Sequence, residues 1–296
     1  MVCLETTAAL AGSIRSTNCY SKVGAAPYHP SPVYSSPSSA SMFTTAPLQD
    51  LAAVEKLREH ELEEARVIQG AMLPSQPLHI GGVLISHEFQ PVTEVGGDYL
   101  DYFELSDGSI GLYVGDVSGK GLPAALYAAL AVGTLRGVHK TGQTTSRVLS
   151  VLNERLHLRG IPGRHTALQY AVFFPTTREM HISSAGMPGP LLIRDGHCRA
   201  LQVAGIPPGL FPGVQYDDFL LKLEHGDSLL FCSDGLTEAR DAEDEEFGVE
   251  RLQELCARNA GASPLDLLEQ VFGGIQTFSR DMRQWDDMTA AVFHYA

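Results

Sequence analysis

Four short acidic motifs, far apart in the chain, constrain its fold more than any other feature. Each places a carboxylate at one end of an apolar, strand-like run, beside glycine or a small polar residue. Carboxylates that converge at strand ends repel one another unless a cation lies among them. Because hard cations such as Mg²⁺ and Mn²⁺ prefer oxygen ligands, the motifs predict metal-assisted hydrolysis, with phosphate esters as the expected substrates. The motifs are Gly96-Gly97-Asp98-Tyr99, Gly115-Asp116-Val117-Ser118-Gly119, Ser233-Asp234-Gly235 and Asp286-Asp287-Met288-Thr289.

Each motif taken alone also has a plainer explanation. An Asp-Gly pair after a strand, as at Asp234, is most often a turn, and Asp286 fits a solvated strand start. The glycine-rich segment around Asp116 is not a phosphate-binding P-loop, because its glycines have the wrong spacing and no Ser or Thr follows Lys120. It is either a tight turn that presents Asp116 to a metal or an ordinary strand-to-helix turn. The joint occurrence of the four motifs favours the metal site.

Charge and cysteine content exclude several classes of protein. The formal charge of −14, from 35 acidic and 21 basic residues, argues against nucleic acid or an anionic membrane as the main partner. The five cysteines form no Cys-x-x-Cys pair, which predicts neither a zinc site nor a disulfide framework. No apolar run approaches the roughly 18 residues of a membrane span, and no secretory signal is visible. We therefore expect a cytoplasmic protein without a membrane span.

Composition divides the chain into three segments. Residues 1–47 are rich in Ser, Ala, Thr and Pro, which predicts a disordered tail. Residues 48–77 contain a predicted linker helix over 51–73, which ends before Pro74. Its apolar face is compatible with packing on its own domain or with a partner or dimer contact that transmits a signal. That face consists of Leu62, Ala65, Ile68 and Met72.

Residues 78–296 mix strand-like and helix-like segments and form the predicted catalytic domain. β-branched and aromatic content predicts strands, and helical periodicity predicts helices. Because strands follow one another through turns, as in 168–184, the order favours antiparallel sheets with helices outside. The predicted strands are 83–89, 109–115, 168–174, 179–184, 228–232 and 289–293, and the predicted helices are 122–139, 146–158, 249–259 and 264–278.

At this point the motifs resemble a known family, the metal-dependent protein phosphatases of type 2C (PPM), in the bacterial branch of SpoIIE and RsbU. The resemblance covers about residues 60–296 and implies an α+β fold, a four-layer α/β/β/α sandwich of two antiparallel sheets. Besides the acidic motifs it rests on Ala65-Arg66-Val67-Ile68-Gln69, Met72-Leu73-Pro74, Lys120-Gly121 with Pro123-Ala124-Ala125, Ser184-Ala185-Gly186, Gly189-Pro190-Leu191-Leu192, Ile206-Pro207-Pro208-Gly209-Leu210-Phe211, Gly226-Asp227-Ser228-Leu229-Leu230, Leu236-Thr237-Glu238-Ala239 and Glu246-Phe247-Gly248.

The resemblance also implies a site that holds two Mn²⁺ or Mg²⁺ ions. Asp116 would bridge both ions, and the carbonyl of Val117 would join it. Asp234 and Asp286 would complete one ion, and Asp98 would serve the other directly or through water. A metal-bridging water would be the nucleophile, with Asp116 and Asp234 as the catalytic carboxylates.

In this branch the implied substrate is phosphoserine or phosphothreonine on an anti-sigma-factor antagonist of the STAS type, in a partner-switching pathway. Helix 51–73 would then receive an activator or mediate self-association. Two departures from the family pattern, Met187 in place of His and Ala167 in place of Thr, bear on substrate contacts rather than on metal ligands. The alternatives are a non-catalytic partner-switching module that keeps the fold and a hydrolase of small phosphoesters.

Overall fold

The computed structural model describes residues 48–139, 143–280 and 282–296. The predicted disordered tail at 1–47 lies outside these ranges. The helices are α1 (Leu48–Gly70), α2 (Leu122–Val138), α3 (Thr145–Arg159), α4 (Gly248–Arg258) and α5 (Pro264–Ser279). The strands are β1 (Leu78–Ile80), β2 (Val83–Gln90), β3 (Tyr99–Glu104), β4 (Ile110–Val117), β5 (Thr166–Phe174), β6 (Glu179–Ala185), β7 (Leu191–Arg194), β8 (His197–Ala200), β9 (Phe219–Lys222), β10 (Ser228–Cys232) and β11 (Met288–Tyr295).

The strands form two sheets in which neighbouring strands are antiparallel. One sheet has six strands in the order β1-β2-β11-β10-β7-β8, and the other has five in the order β3-β4-β5-β6-β9. The six strands predicted from sequence are confirmed at nearly the predicted bounds. The sequence analysis missed β1, β3, β7, β8 and β9, which are short or carry charged residues and so lack a strong apolar pattern.

The two sheets pack face to face around a shared apolar core. Phe173 of β5 meets Phe293 of β11 edge to face, with ring centroids 5.2 Å apart. Because side chains alternate along a strand, Tyr170 and Val172 of β5 point the other way and pack with α2 and α3. Helices α4 and α5 cover the outer face of the six-stranded sheet, where Val271 is fully buried. This order of layers confirms the predicted α/β/β/α sandwich.

Two helix starts follow the capping rules that a sequence carries. The Ser263 hydroxyl accepts a hydrogen bond from the backbone N–H of Asp266 at 3.2 Å, and Pro264 takes the first helical position of α5. Thr144 caps α3 in the same way through the N–H of Arg147. The sequence Ser263-Pro264-Leu265-Asp266 therefore encodes the start of α5 locally.

Helix α1 differs from its prediction in two respects. It ends at Gly70, three residues before the predicted end. Its predicted apolar face is not a buried stripe, because Ile68 is 66% exposed and Gln69 is the residue that reaches the interior. The side chains of residues 51–61 are exposed throughout. Among the described helices, none combines the length and apolar character that crossing a bilayer requires.

Candidate metal centre

Sheet pairing brings the four acidic motifs to one end of the sandwich. Asp98 directly precedes β3, whose first residue pairs with Gly115, the neighbour of Asp116 on β4. In the other sheet, the end of β10 pairs with the start of β11, which places Asp234 close to Asp286. Strand β11 lies against β3 and β4 across the core. The antiparallel register therefore makes the two pairs of carboxylates neighbours.

Asp98 and Asp116 form the buried part of the cluster. Asp98 is 1% exposed and accepts a hydrogen bond from the Ser233 hydroxyl at 2.7 Å. The carboxyl groups of Asp98 and Asp116 are close enough that each affects the pKa of the other. Burial and, next, the charge of Asp116 raise the pKa of Asp98 well above its usual range. Burial and then the charge of Asp234 raise the pKa of Asp116 to about 7.

Asp234 and Asp286 form the more accessible part of the cluster. Burial and then the nearby Asp286 raise the pKa of Asp234, while Lys120 acts in the opposite direction. The Lys120 ammonium group lies 3.0 Å from a carboxylate oxygen of Asp286 and also contacts the carbonyl oxygen of Trp285. This lysine comes from the glycine-rich turn after β4. It brings positive charge to the edge of the acidic cluster.

The donors present fit a hard divalent cation. Burial and like-charge repulsion destabilise the charged form of carboxylates with raised pKa values, and a bound cation offsets that effect. The carbonyl of Val117 lies at the same place, since a Cβ on Gly97 would stand only 2.8 Å from its oxygen. In the described part of the chain, however, no three His, Cys, Asp or Glu side chains already surround one point. Asp98 and Asp286 are bonded to Ser233 and Lys120 instead.

Asp287 holds the loop that carries Asp98 in place, a role that the sequence analysis did not assign. Its carboxylate accepts hydrogen bonds from the backbone N–H groups of Val92 at 2.7 Å and Gly97 at 2.6 Å. The side chain is almost fully buried. These contacts tie the start of β11 to the loop that carries Asp98. The doubled Asp was the only sequence signal, and it does not say which carboxylate points inward.

Gln69 is a second residue whose role was missed. Its side-chain amide donates to the carbonyl oxygen of Gly96 at 2.7 Å, and its amide oxygen accepts from the N–H of Gly96 at 3.0 Å. Both bonds are buried. Helix α1 is thereby clamped to the backbone two residues before Asp98. The sequence motif contained Gln69, but nothing in it indicated this partner.

The two departures from the family pattern lie in different surroundings. Ala167 pairs with Asp116 across β5 and β4 and so borders the cluster. Met187 is buried in the core between the sheets, where its carbonyl accepts a hydrogen bond from the Ser184 hydroxyl at 2.8 Å. The Met187 side chain is therefore a packing residue.

Comparisons with known proteins show the family to which the chain is related. The family described as Stage II sporulation protein E (SpoIIE) matches residues 106–296, a range that includes Asp116, Asp234 and Asp286 and begins after Asp98. Phosphoserine phosphatase RsbU of Bacillus subtilis is 27% identical over 82% of the chain and 72% of its own length. Protein IcfG of Synechocystis is 29% identical over 77% of the chain, but the match spans only 40% of that protein.

Solved structures show the same architecture. The PP2C domain of SiaA from Pseudomonas aeruginosa superposes with a TM-score of 0.73 at 21% identity, over 83% of the chain and 99% of that domain. At this identity the likeness concerns the fold. The RsbU and RsbW domains of a Mycobacterium tuberculosis protein match at 26% identity with a TM-score of 0.62, over 75% of the chain and 61% of that structure.

Proposed function

The chain belongs to the SpoIIE family of PPM-type serine/threonine protein phosphatases, and from this premise we propose how its site works. It hydrolyses phosphoserine or phosphothreonine in a protein with the help of two Mn²⁺ or Mg²⁺ ions. Their ligands are the side chains of Asp98, Asp116, Asp234 and Asp286 and the carbonyl of Val117. The observation that carries this proposal is the location of four carboxylates at one end of the sandwich, three of them with raised pKa values.

Bound divalent cations supply a nucleophilic water of lowered pKa and neutralise charge on the phosphoryl oxygens. The chain's own residues arrange the site. Asp116 interacts with carboxylates of both halves of the cluster, because besides burial both Asp234 and Asp98 act on its pKa. Ser233 holds one oxygen of Asp98 in place. Lys120 offsets negative charge beside Asp286.

The direct test is hydrolysis of an aryl phosphate by the full chain with Mn²⁺, with Mg²⁺ and with EDTA. We expect metal-dependent turnover that falls by more than about 100-fold in Asp116→Asn and in Asp234→Asn, beyond the effect typical of outer ligand-sphere changes. Glu154→Gln, an exposed change on α3, is the matched control. Full activity of Asp116→Asn would refute the assignment. A folded chain that binds Mn²⁺ without turnover would favour the non-catalytic partner-switching module.

For the substrate we propose a phosphorylated anti-sigma-factor antagonist of the STAS type, in the cytoplasm. Support comes from the relatives, which include two phosphoserine phosphatases, RsbU and RsbP, and a structure that joins RsbU and RsbW domains. Phosphate release from a phosphorylated STAS-domain protein, followed by mass spectrometry, tests this. Turnover of aryl phosphate together with an untouched STAS phosphoprotein would redirect the search to other phosphoproteins or to small phosphoesters.

We further propose that α1 receives an activator or a second copy of the chain. Three large apolar side chains near its start are more than half exposed: Leu51, Val54 and Leu57. Apolar side chains repeated on an exposed helix are typical of a contact surface. The molecular mass in solution, compared between the native chain and Val54→Glu with Leu57→Glu, distinguishes self-association from an activator site.

A further inference from the structure

A pocket of about 280 Å³ lies next to the acidic cluster. It is bounded by the C-terminal half of α5, by residues 282–285 and by the segment after β10. Two of its lining residues are neighbours of proposed metal ligands, since Gly235 follows Asp234 and Trp285 precedes Asp286. The pocket therefore lies beside the proposed metal site.

The floor of the pocket is apolar. Phe272 and Ile275 project from α5, and Met288 begins β11 beside them. Phe272 and Ile275 are buried in the core of that layer. Such a floor favours an aliphatic or aromatic side chain over a water-exposed polar one.

The rim of the pocket is cationic. Arg240 is already paired with Asp244 at 3.2 Å and with Glu246. Arg280 and Arg283 are exposed, and the described residues supply neither of them with an ion-pair partner. No acidic side chain occurs among the lining residues that the structure describes. Arg280 and Arg283 are therefore basic side chains at the pocket edge that are available to an acidic partner.

The loop that forms the pocket wall is held in place by the protein itself. The Gln284 side chain donates to the backbone carbonyl of Gln90 and to that of Asp286, both at 2.7 Å. Arg280 ends α5 in a left-handed backbone conformation, with φ at 50°, which turns the chain into the loop. The Lys120 ammonium group lies 5.5 Å from the centre of the Trp285 ring. The pocket is thus formed without a bound ligand, and Lys120 connects it to the glycine-rich turn after β4.

We propose that this pocket docks an acidic stretch of the phosphoprotein substrate, beside the residue that is dephosphorylated. An aliphatic side chain of the substrate enters the apolar floor, and a neighbouring carboxylate pairs with Arg280 and Arg283. The inference rests on the proposed function and adds a rule for substrate choice. A protein segment is favoured over a metabolite because the pocket edge carries an exposed Trp and exposed Arg side chains, which are typical of protein contacts.

Binding can be measured without catalysis, because Trp285 is the chain's single tryptophan. The probes are short synthetic peptides with a Leu-Glu pair placed at successive distances on either side of a serine, and a matched set with Gln in place of Glu. We expect one placement to change Trp285 fluorescence with an affinity about five- to tenfold above that of its Gln partner. Arg280→Gln with Arg283→Gln removes this difference. Arg258→Gln, an exposed arginine on α4 outside the pocket, keeps it.

Turnover gives the second readout. With the same peptides carrying phosphoserine, kcat/KM should show the same preference for Glu, and the double variant should lose it while hydrolysing aryl phosphate at the native rate. Equal affinity for the Glu and Gln peptides, or a preference that survives in the double variant, would overturn the proposal. So would a change in molecular mass in the double variant without a peptide effect, which would assign the pocket to contact between two copies. Peptide binding without any hydrolysis would instead count against the proposed function alone.

Discussion

Asp286 and Asp287 are adjacent in the sequence, but their carboxylates have different partners. The Asp286 side chain is one-third exposed and faces Lys120 across the acidic cluster. The Asp287 side chain is buried and accepts hydrogen bonds from the backbone N–H groups of Val92 and Gly97, which lie nearly 200 residues earlier in the chain. One carboxylate is therefore available to a cation, while the other maintains the loop that presents Asp98.

Substitution by Asn should therefore affect the use of metal at Asp286 and the stability of the fold at Asp287. Asp286→Asn should raise the Mn²⁺ concentration for half-maximal aryl phosphate hydrolysis about 10- to 100-fold, with little change in unfolding without metal. Asp287→Asn should lower the free energy of unfolding by about 1.5–3 kcal/mol, because a charged acceptor of two buried hydrogen bonds is lost. Mn²⁺ titrations and denaturant unfolding in EDTA measure both quantities. The reverse pattern would exchange the two roles.

The raised pKa values of Asp98 and Asp116 predict how pH and metal act together on stability. Without metal, the folded chain holds a proton on Asp116 between the ordinary aspartate pKa of 3.8 and about 7, where the unfolded chain has lost it, and the raised pKa of Asp98 acts in the same direction. Their contribution to stability is therefore present at low pH and is lost as pH rises through that window. Cations compete with protons for the same oxygens.

The rise in melting temperature on adding Mn²⁺ should accordingly be larger at about pH 8 than at about pH 6, because fewer protons then compete for the carboxylates. Thermal unfolding with Mn²⁺ and with EDTA at both pH values measures this. Asp116→Asn should reduce the dependence, and Glu154→Gln should leave it unchanged. A metal effect that is equal at both pH values would show that these carboxylates do not bind the ion.

At the scale of elements, the side chain of Gln69 connects helix α1 to the loop that carries Asp98. Gln69 hydrogen-bonds both backbone groups of Gly96 and is the one fully buried residue among positions 51–70. A second link runs from Arg136 of α2, which donates to the carbonyl of Met72 at 2.7 Å and to Asp101 of β3. These contacts connect helix α1 and the residues after it to the loop before β3 and to β3 itself.

Gln69→Leu should weaken the use of metal without unfolding the domain. We expect the half-saturating Mn²⁺ concentration to rise about tenfold, since Gln69 acts on Asp98 through the backbone of Gly96. Losing both buried bonds should also lower the free energy of unfolding by about 1–3 kcal/mol. Glu64→Gln, exposed on the same helix, is the control. Lowered stability with unchanged Mn²⁺ dependence would make Gln69 a purely structural residue.

At the scale of the whole molecule, the core between the sheets sets the distance between the two halves of the site. Asp116 lies on β4, and Asp98 directly precedes β3 of the same five-stranded sheet. Asp234 follows β10 and Asp286 precedes β11, which are both in the six-stranded sheet. The Phe173–Phe293 contact joins the sheets at the centre of this core. Packing in the middle of the sandwich therefore contributes to the geometry at its end.

Phe293→Ala should lower the free energy of unfolding by about 3–5 kcal/mol, because it leaves a cavity at a fully buried position. Leu126→Ala, at an exposed position of α2, should change it by less than about 0.5 kcal/mol. Urea unfolding with saturating Mn²⁺ measures both. Similar small effects from the two substitutions would mean that the sheets do not rely on this contact.

The sequence by itself determined the strong strands and helices and the start of α5, and it predicted which carboxylates lie at one end of the sandwich. These are encoded locally, by apolar periodicity, by turn residues and by a carboxylate beside glycine. The tertiary structure decided what depends on partners far away in the chain. It buried Asp287 rather than Asp286, turned Gln69 inward to Gly96 and placed Met187 in the core. It also gathered Arg280, Arg283 and Trp285 around one pocket, because only packing brings the end of α5 against the start of β11.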